Sequence, residues 1–256
     1  MAEAPADSLL ELLLPTLLLN IIAGSPANAC IDAGHILRHA FGQFGAHSSL
    51  QLVDLVIRDR IRGDGVMYGT PEPSWDEAGR VFNGHCVLWL PESKRFIDAT
   101  VEQFPMVRRL RMGPVIGRLM FSTEPFNSET PPPGTHIGVT RGDLLLLYTI
   151  AAEEFANLTD TPWIRERAGQ NRRSGINLAS TALDALRTPL LRKRALATPY
   201  PRLHALLMAV GATPSNLDDN RDVLFSIVTD TNTRLLRLDE IPLPTGTPAD
   251  PTTPVG

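Results

Sequence analysis

The stretch FNGHCVLWLPESKRFIDATVEQF, from Phe82 to Phe104, restricts the possible folds of this chain more than any other part of it. It contains two largely apolar runs, which we interpret as strands from Val81 to Leu90 and from Arg95 to Thr100. Only the short polar break PESK separates them. Strands joined by so short a turn pair antiparallel, because a parallel pair requires a long crossover connection. The sequence therefore predicts an antiparallel hairpin here.

The predicted hairpin carries a histidine on one strand and an aspartate on the other. Alternate residues of a strand share a face, so Cys86 points into the core and His85 points the other way. With a turn centred on Pro91 and Glu92, His85 lies opposite Asp98 or one diagonal step away, on the same face. A carboxylate in that place accepts a hydrogen bond from the imidazole and stabilises its protonated form. An ordinary cross-strand polar pair on a solvated face is the alternative.

Cys30 lies in the first turn of a predicted helix from about Ala29 to Phe44. At a spacing of about 100° per residue, its apolar residues share one face with the cysteine. The helix dipole and the free N–H groups of a first turn favour a thiolate and can bind an oxyanion. The alternative is that Cys30 is a small core residue, which is where most free cysteines lie.

Two histidines on the same helix, His35 and His39, raise the question of a zinc site with Cys30. On a helical wheel both histidines lie roughly 140° to 180° away from the cysteine. One metal ion could not contact all three side chains on a straight helix, so we predict no metal site. The two histidines are then expected to be solvated.

A cysteine at the start of a buried helix, followed by a histidine and an aspartate on adjacent strands, is the order of a thiol nucleophile with its base and orienting acid. The segment CIDAGHILRHAFGQFG resembles the nucleophile helix of transglutaminase-like (papain-like) cysteine enzymes. The segment GHCVLWL, followed by FIDAT, resembles their histidine strand and their Asp-x-Thr strand, and DATVEQF resembles a segment of uncharacterised bacterial members. The resemblance covers about residues 25 to 105. It implies that Cys30 is the nucleophile, His85 the base and Asp98 the orienting acid.

The chain departs from particular branches of that superfamily. Ile31 follows the cysteine where transglutaminases proper carry tryptophan, and SPANAC replaces the glycine-rich stretch with arginine of arylamine N-acetyltransferases. Neither of those two reactions is therefore supported. Asn28 and Gln103 are candidates for donating a hydrogen bond to an oxyanion, and each could equally be a cap or turn residue.

Most of the remaining chain has helical patterns. A first helix is predicted from about residue 8 to 23, bent near Pro15 and starting with a capping box of Ser8 and Glu11. The segment SLQLVDLVIRD predicts a further strand. After about Asp143, four segments are interpreted as helices: DLLLLYTIAAEEFANL, SGINLASTALDALRTPLLRKRAL, PRLHALLMAVGA and DDNRDVLFSIVTDTNTRLLRL.

These patterns together predict an α+β fold. Its papain-like (transglutaminase-like) core would consist of the nucleophile helix packed on an antiparallel sheet, with a C-terminal helical region added. The expected division is a Cys-His-Asp domain over residues 1–125, a Pro/Gly-rich linker over 126–142, a helical region over 143–240 and a disordered tail over 241–256.

Composition narrows the classes of function. The chain has 256 residues, a net charge of -4 and two cysteines, so a disulfide scaffold is excluded and nucleic-acid binding through bulk charge is not favoured. The apolar N-terminal region carries acidic residues, no basic ones, and several interruptions, which fits neither a signal peptide nor a membrane span. We therefore expect a cytoplasmic protein that binds neither nucleic acid nor membranes.

The expected function is that of a thiol-dependent enzyme without a cofactor. Its substrate would be a peptide, another amide or a thioester, which it would hydrolyse or use for acyl transfer. The alternative is a catalytically silent relative whose helical half binds a protein partner. The reactivity of Cys30 separates the two, because an enzyme needs an accessible thiolate and a scaffold needs only a buried thiol.

Overall fold

The computed structural model describes residues 9–22, 29–70, 72–76, 78, 81–118, 130–211, 215–219, 222–228 and 232–252. The α-helices in these ranges are α1 (Leu9–Ile22), α2 (Cys30–Gly42), α3 (Pro105–Arg108), α4 (Pro162–Leu186), α5 (Pro189–Ala195) and α6 (Pro201–Val210). The strands before the middle of the chain are β1 (Ser49–Asp59), β2 (Gly65–Tyr68), β3 (Ser74–Trp75), β4 (Phe82–Asn83), β5 (His85–Leu90), β6 (Arg95–Asp98) and β7 (Val115–Arg118). Those that follow are β8 (His136–Arg141), β9 (Leu144–Ile150), β10 (Asn216–Leu217), β11 (Val223–Val228) and β12 (Thr233–Leu236).

The main sheet has the strand order β7-β6-β5-β1-β9-β8, and β2 pairs with β1. Every pairing in it is antiparallel, and the sheet is nearly closed. One face encloses a core of its own, which includes Trp89, Phe96 and Tyr148. The predicted mixture of helices with an antiparallel sheet is therefore confirmed, as is the hairpin formed by β5 and β6.

Helix α2 lies on the other face of this sheet. Leu37 and Phe41 of the helix are buried in one cluster with Leu88 and Leu90 of β5. Burying each side chain of this size stabilises the fold by about 1.5–3 kcal/mol. Gly34 allows the close approach, because a Cβ atom there would lie 3.1 Å from the side chain of Leu50. This packing fixes the position of the first turn of α2, where Cys30 lies.

Two of the predicted helices are strands instead. The segment starting at Asp143 forms β9, whose buried residues alternate with half-buried ones along the strand. The segment before it forms β8, so the prediction that residues 126–142 are only a linker is wrong for this part. By periodicity, an apolar run of this length fits a buried helix and a buried strand equally well. Here it forms a strand because it pairs with the edge of β1.

The predicted helix over DDNRDVLFSIVTDTNTRLLRL is also wrong. Its residues form the hairpin of β11 and β12, in which Phe225 and Ile227 are buried at period two. The remaining helical predictions for the C-terminal half hold, with one break: α4 ends at Leu186 and α5 begins at Pro189. A residue before proline disfavours the helical conformation, which explains the interruption.

The described part of the tail packs against the helices, in contrast to the predicted disorder. The Gln43 amide donates a hydrogen bond of 2.6 Å to Asp250, and Arg202 donates one of 3.1 Å to the carbonyl of Pro248. At the other end of the chain, α1 contains Pro15 as predicted, while Ser8 of the predicted capping box lies outside the described residues. In the described ranges, no helix combines the length and the apolar character needed to cross a bilayer.

Candidate active site

His85 and Asp98 meet on neighbouring strands of the main sheet. The register pairs Leu88 with Ile97, so continuing it by one step sets Asp98 opposite Val87 and leaves His85 one diagonal position away. The Nε2 atom of His85 lies 2.7 Å from Oδ2 of Asp98. The structure thus brings together the two residues that the hairpin predicted, on the enclosed face of the sheet and not on a solvated one.

Asp98 is held by further donors. Its Oδ2 atom also accepts a hydrogen bond of 3.1 Å from the hydroxyl of Tyr148. Its Oδ1 atom accepts bonds from the backbone N–H and the hydroxyl of Thr100, at 3.0 and 3.3 Å. A buried carboxylate with four donors is fully satisfied and fixed in direction. It can therefore hold the imidazole of His85 in one orientation.

Tyr148 is a site residue that the sequence interpretation missed. It lies on β9, in a segment that was interpreted as a helix, and it is buried. Burial, followed by the charge of Asp98, raises the pKa of its phenol well above the usual value, so the hydroxyl stays protonated and keeps donating. The alternation of buried residues from Leu144 to Ile150 was the signal that could have revealed a strand, and with it the direction of Tyr148.

Two other candidate residues, Gln103 and Cys30, lie near the imidazole of His85. Nδ1 lies 3.4 Å from the amide nitrogen of Gln103, and the thiol of Cys30 is within hydrogen-bonding reach of the same imidazole. Burial by itself lowers the pKa of His85, but the charge of Asp98, its hydrogen bond and the Cys30 thiol together raise it to about 10. The imidazole is therefore protonated at neutral pH.

Cys30 is the first residue of α2, as predicted. Its N-cap, Ala29, has no side chain that could bond the free N–H groups of the first turn. With no side-chain cap at this turn among the described residues, its N–H groups can serve an anion at the sulfur or a developing oxyanion. On its apolar side the thiol is buried in one cluster with Leu52, Phe82 and Ile164.

Cys86 lies on the opposite face of β5 from His85. It is buried in the cluster that also contains Cys30, and burial, followed by the charges of Cys30 and Asp98, raises the pKa of its thiol well above the ordinary value. Its sulfur is therefore protonated at neutral pH. His85 and Cys86 thus point to opposite faces of the sheet, as predicted.

A 3-10 helix, Glu153–Asp160, covers this region and is called here the covering segment. Its Phe155 and Leu158 pack against the cluster that contains Cys30. The indole of Trp75 donates a hydrogen bond of 2.9 Å to the carbonyl of Leu158, and Nε2 of His35 lies 2.8 Å from the carbonyl of Thr159. Helices of this type rarely exceed one turn, so these contacts help to hold the segment.

The two histidines of α2 were predicted to be solvated, and this prediction is wrong. His35 is half-buried under the covering segment, and His39 contacts the hydroxyl of Thr252, at 3.3 Å. Burial is the largest cause that lowers the pKa of both imidazoles. Both are therefore neutral at neutral pH.

Access to the three central residues is restricted. The exposed fractions of Cys30, His85 and Asp98 are 3%, 1% and 0%. A cleft of about 680 Å³ lies beside the covering segment, and it is lined by His35 and Leu52 but not by the three residues themselves. A substrate would reach the sulfur only after the apolar cover moves.

The structure describes only one of the two residues that were predicted to donate a hydrogen bond to an oxyanion. Gln103 lies beside the imidazole, and its amide nitrogen is also 3.3 Å from the hydroxyl of Thr100. Asn28 lies outside the described residues. Among the residues that the structure describes, no three His, Cys, Asp or Glu side chains are grouped so that they could hold a metal ion.

The site thus places the thiol of Cys30 near the imidazole of His85, whose Nε2 lies 2.7 Å from the carboxylate of Asp98, with the first turn of α2 and the amide of Gln103 nearby. Such an arrangement can move a proton between sulfur and imidazole while the carboxylate stays ionised. Comparison of the chain with protein-family models, with curated proteins and with solved structures finds no match.

Proposed function

We propose that this protein is a thiol-dependent enzyme that forms an acyl-enzyme on Cys30 from an amide or a thioester. We also propose that its core is papain-like, related to the transglutaminase-like cysteine enzymes that the sequence resembles. One observation carries the proposal: Nε2 of the buried imidazole of His85 lies 2.7 Å from Asp98, and the Cys30 thiol is near enough to the same imidazole to help raise its pKa. A nucleophile, a base and an orienting group in this order form a catalytic unit.

In the first half of the proposed reaction, the Cys30 thiolate attacks the carbonyl carbon and a C–S bond forms. The bond from that carbon to the leaving nitrogen or sulfur breaks, and the leaving group takes the proton held by His85. The first-turn N–H groups of α2 and the amide of Gln103 would donate hydrogen bonds to the oxyanion.

In the second half, water or an amine attacks the carbonyl carbon of the acyl-enzyme. His85 removes the proton from the attacking group, the C–S bond breaks, and the thiolate is restored. Asp98 remains ionised throughout and stabilises the protonated imidazole. The same residues thus serve hydrolysis and acyl transfer.

A second candidate function is a catalytically silent scaffold that binds a protein partner through its helical half. The burial of Cys30, which is 3% exposed, favours this alternative. A silent scaffold retains a packed thiol and needs no thiolate.

Thiol reactivity tests the proposed function without a known substrate. At pH 6, iodoacetamide should modify Cys30 ahead of Cys86, as read by peptide mass mapping, because Cys30 lies beside the protonated base His85 whereas burial keeps Cys86 protonated. Asp98→Ala should slow this modification, since it removes the group that stabilises the imidazolium. Equally slow modification of both cysteines in the native protein would support the scaffold instead.

A further inference from the structure

The first half of β1 has an open edge. Strand β9 pairs with β1 from Asp59 back to Val53, and the backbone N–H of Ala151 donates one more bond, of 2.9 Å, to the carbonyl of Leu52. There the chain leaves the sheet and enters the covering segment. In the described residues, no strand continues along β1 on this side next to Leu50.

The direction of the backbone groups on this edge follows from the bonds at both ends of the β1–β9 ladder. Leu52 accepts from Ala151, and beyond the other end Arg60 donates to the carbonyl of Asp143. In an antiparallel pair, N–H and C=O of one residue point to the same side, and alternate residues point to the same neighbour. The even-numbered residues of β1 therefore turn toward β9, and Leu50 turns its N–H and C=O to the side where β9 has ended.

This open edge forms one side of the cleft of about 680 Å³. Arg38 of α2 and Ala156 of the covering segment also line it. Ser48, just before β1, lines the cleft as well, and its hydroxyl oxygen is buried without a hydrogen-bond partner among the described residues. A buried polar atom without a partner carries a desolvation cost that a bound polar group would remove.

We propose that this cleft binds an extended peptide, which adds to β1 as a strand where β9 ends. An extended main chain alternates donors and acceptors at the spacing that a strand edge presents, and main-chain bonds of this kind supply affinity independently of sequence. The hydroxyl of Ser48 provides one more polar contact at the outer end. The volume of the cleft is in the range usual for ligand-binding sites.

The inner end of the proposed peptide site leads toward Cys30. Leu52, at this end, is buried in the cluster that contains the thiol, and Ala151 packs against the same cluster. A peptide on the edge would therefore run toward the sulfur beneath the covering segment. That this peptide is the substrate rests on the proposed function, whereas its binding to the edge does not.

Binding can be tested with the full chain carrying Cys30→Ser, which cannot form an acyl-enzyme on sulfur. The probe is a pool of short fluorescein-labelled peptides of randomised sequence, and fluorescence anisotropy reports binding. We expect saturable binding, and we expect exchange of the Leu50 amide proton to slow by about tenfold or more in the complex. A second pool, N-methylated at every backbone amide, should bind more weakly by about tenfold or more, because it has no main-chain donors for the strand edge.

Two substitutions on the covering segment provide the matched comparison. Ala156→Trp fills the cleft and should weaken binding by about tenfold or more, while Asn157→Trp, at an exposed neighbour outside the cleft lining, should leave it unchanged. Absence of binding, equal binding of both pools, or equal effects of the two substitutions would overturn the peptide site. Failure of Cys30 to react with iodoacetamide would overturn the proposed chemistry alone.

Discussion

Asp98 accepts four hydrogen bonds at a position with no exposed surface. Such a carboxylate has its hydrogen-bonding capacity filled and is fixed in direction. Its orientation is set by Thr100 on one oxygen and by Tyr148 and His85 on the other. The orientation of the imidazole should therefore depend on residues that hold Asp98, and Tyr148 is the clearest of these positioning residues.

Replacing Tyr148 with phenylalanine tests this dependence. We expect Tyr148→Phe to lower the free energy of unfolding by about 1.5–3 kcal/mol, the usual contribution of a hydrogen bond to a charged group, and to slow the modification of Cys30 by iodoacetamide at pH 6. Tyr200→Phe is the matched control, because its hydroxyl donates to another buried carboxylate, Glu11, at 2.7 Å. It should cost similar stability and leave the labelling rate unchanged. Equal labelling rates in the two variants would contradict a positioning role.

The raised pKa of His85 predicts how stability changes with pH. A group whose folded-state pKa lies above its unfolded value contributes stability that is complete below the unfolded value and is lost as pH rises toward the folded one. For His85 this window extends from about 6.5 to about 10. Between pH 7 and pH 8 the free energy of unfolding should fall by up to about 1.4 kcal/mol per pH unit.

Urea denaturation at a series of pH values measures this slope. The range from pH 7 to pH 8 is the informative one, because the buried thiol of Cys86 adds a loss of the same sign once unfolded cysteine ionises near 8.5. Asp98→Asn should flatten the slope, since it removes the charge that raises the pKa of His85. A slope that persists in this variant would show that another group carries the proton.

At the level of elements, the covering segment decides whether Cys30 can be reached. The bond from the Trp75 indole to Leu158 is one of the contacts that tie it down. Trp75→Phe removes that N–H and keeps an aromatic ring, so opening should become easier by about 1 kcal/mol, or about fivefold. Iodoacetamide should then modify Cys30 about fivefold faster, with little change in melting temperature.

The control for this experiment lies on the same segment. Asn157 is exposed, and Asn157→Ala should not alter the labelling rate. If Trp75→Phe also leaves the rate unchanged, access to the sulfur does not depend on movement of the covering segment at Leu158.

An element could be predicted from the sequence where the residues that determine it lie close together in the chain. The β5–β6 hairpin was predictable because alternation and a short turn lie within one stretch, and the same pattern brought His85 to Asp98. Strand β9 was not, because four leucines in a row lack a diagnostic period, and the open edge of β1 that selects the strand is distant in the chain. Because β9 was not predicted, the place of Tyr148 in the site was not predicted either.

The cover over Cys30 was likewise beyond the reach of local patterns. The contacts that hold it join Trp75 to Leu158 and His35 to Thr159, residues far apart in sequence. His35 was expected to be solvated because its position on the helical wheel is opposite to the core face. A segment that packs on that outer face leaves no periodic signal in α2 itself.

At the level of the whole molecule, the position of Cys30 depends on α2 being held between the sheet and α4. Helix α4 approaches α2 closely at Gly175, where a Cβ atom would lie 2.5 Å from the Cβ of His39 and 2.8 Å from the carbonyl oxygen of Ile36. Asp32 of α2 adds polar contacts, since it accepts hydrogen bonds from Arg167 and Asn171 of α4. The C-terminal helices thus help to hold the helix that carries the proposed nucleophile.

Adding one methyl group at Gly175 tests this dependence. Gly175→Ala should force α4 away from α2 and lower the free energy of unfolding by about 1–3 kcal/mol, as overpacking usually does, and the displaced α2 should slow the modification of Cys30. Gly169 lies in the same helix with nothing within 4 Å of a Cβ atom, so Gly169→Ala should stabilise the protein by about 0.5–1 kcal/mol through helix propensity alone. Chemical denaturation and the iodoacetamide rate measure both effects. If the two variants gained stability equally and labelled alike, the close contact between α4 and α2 would not be what places Cys30 beside His85.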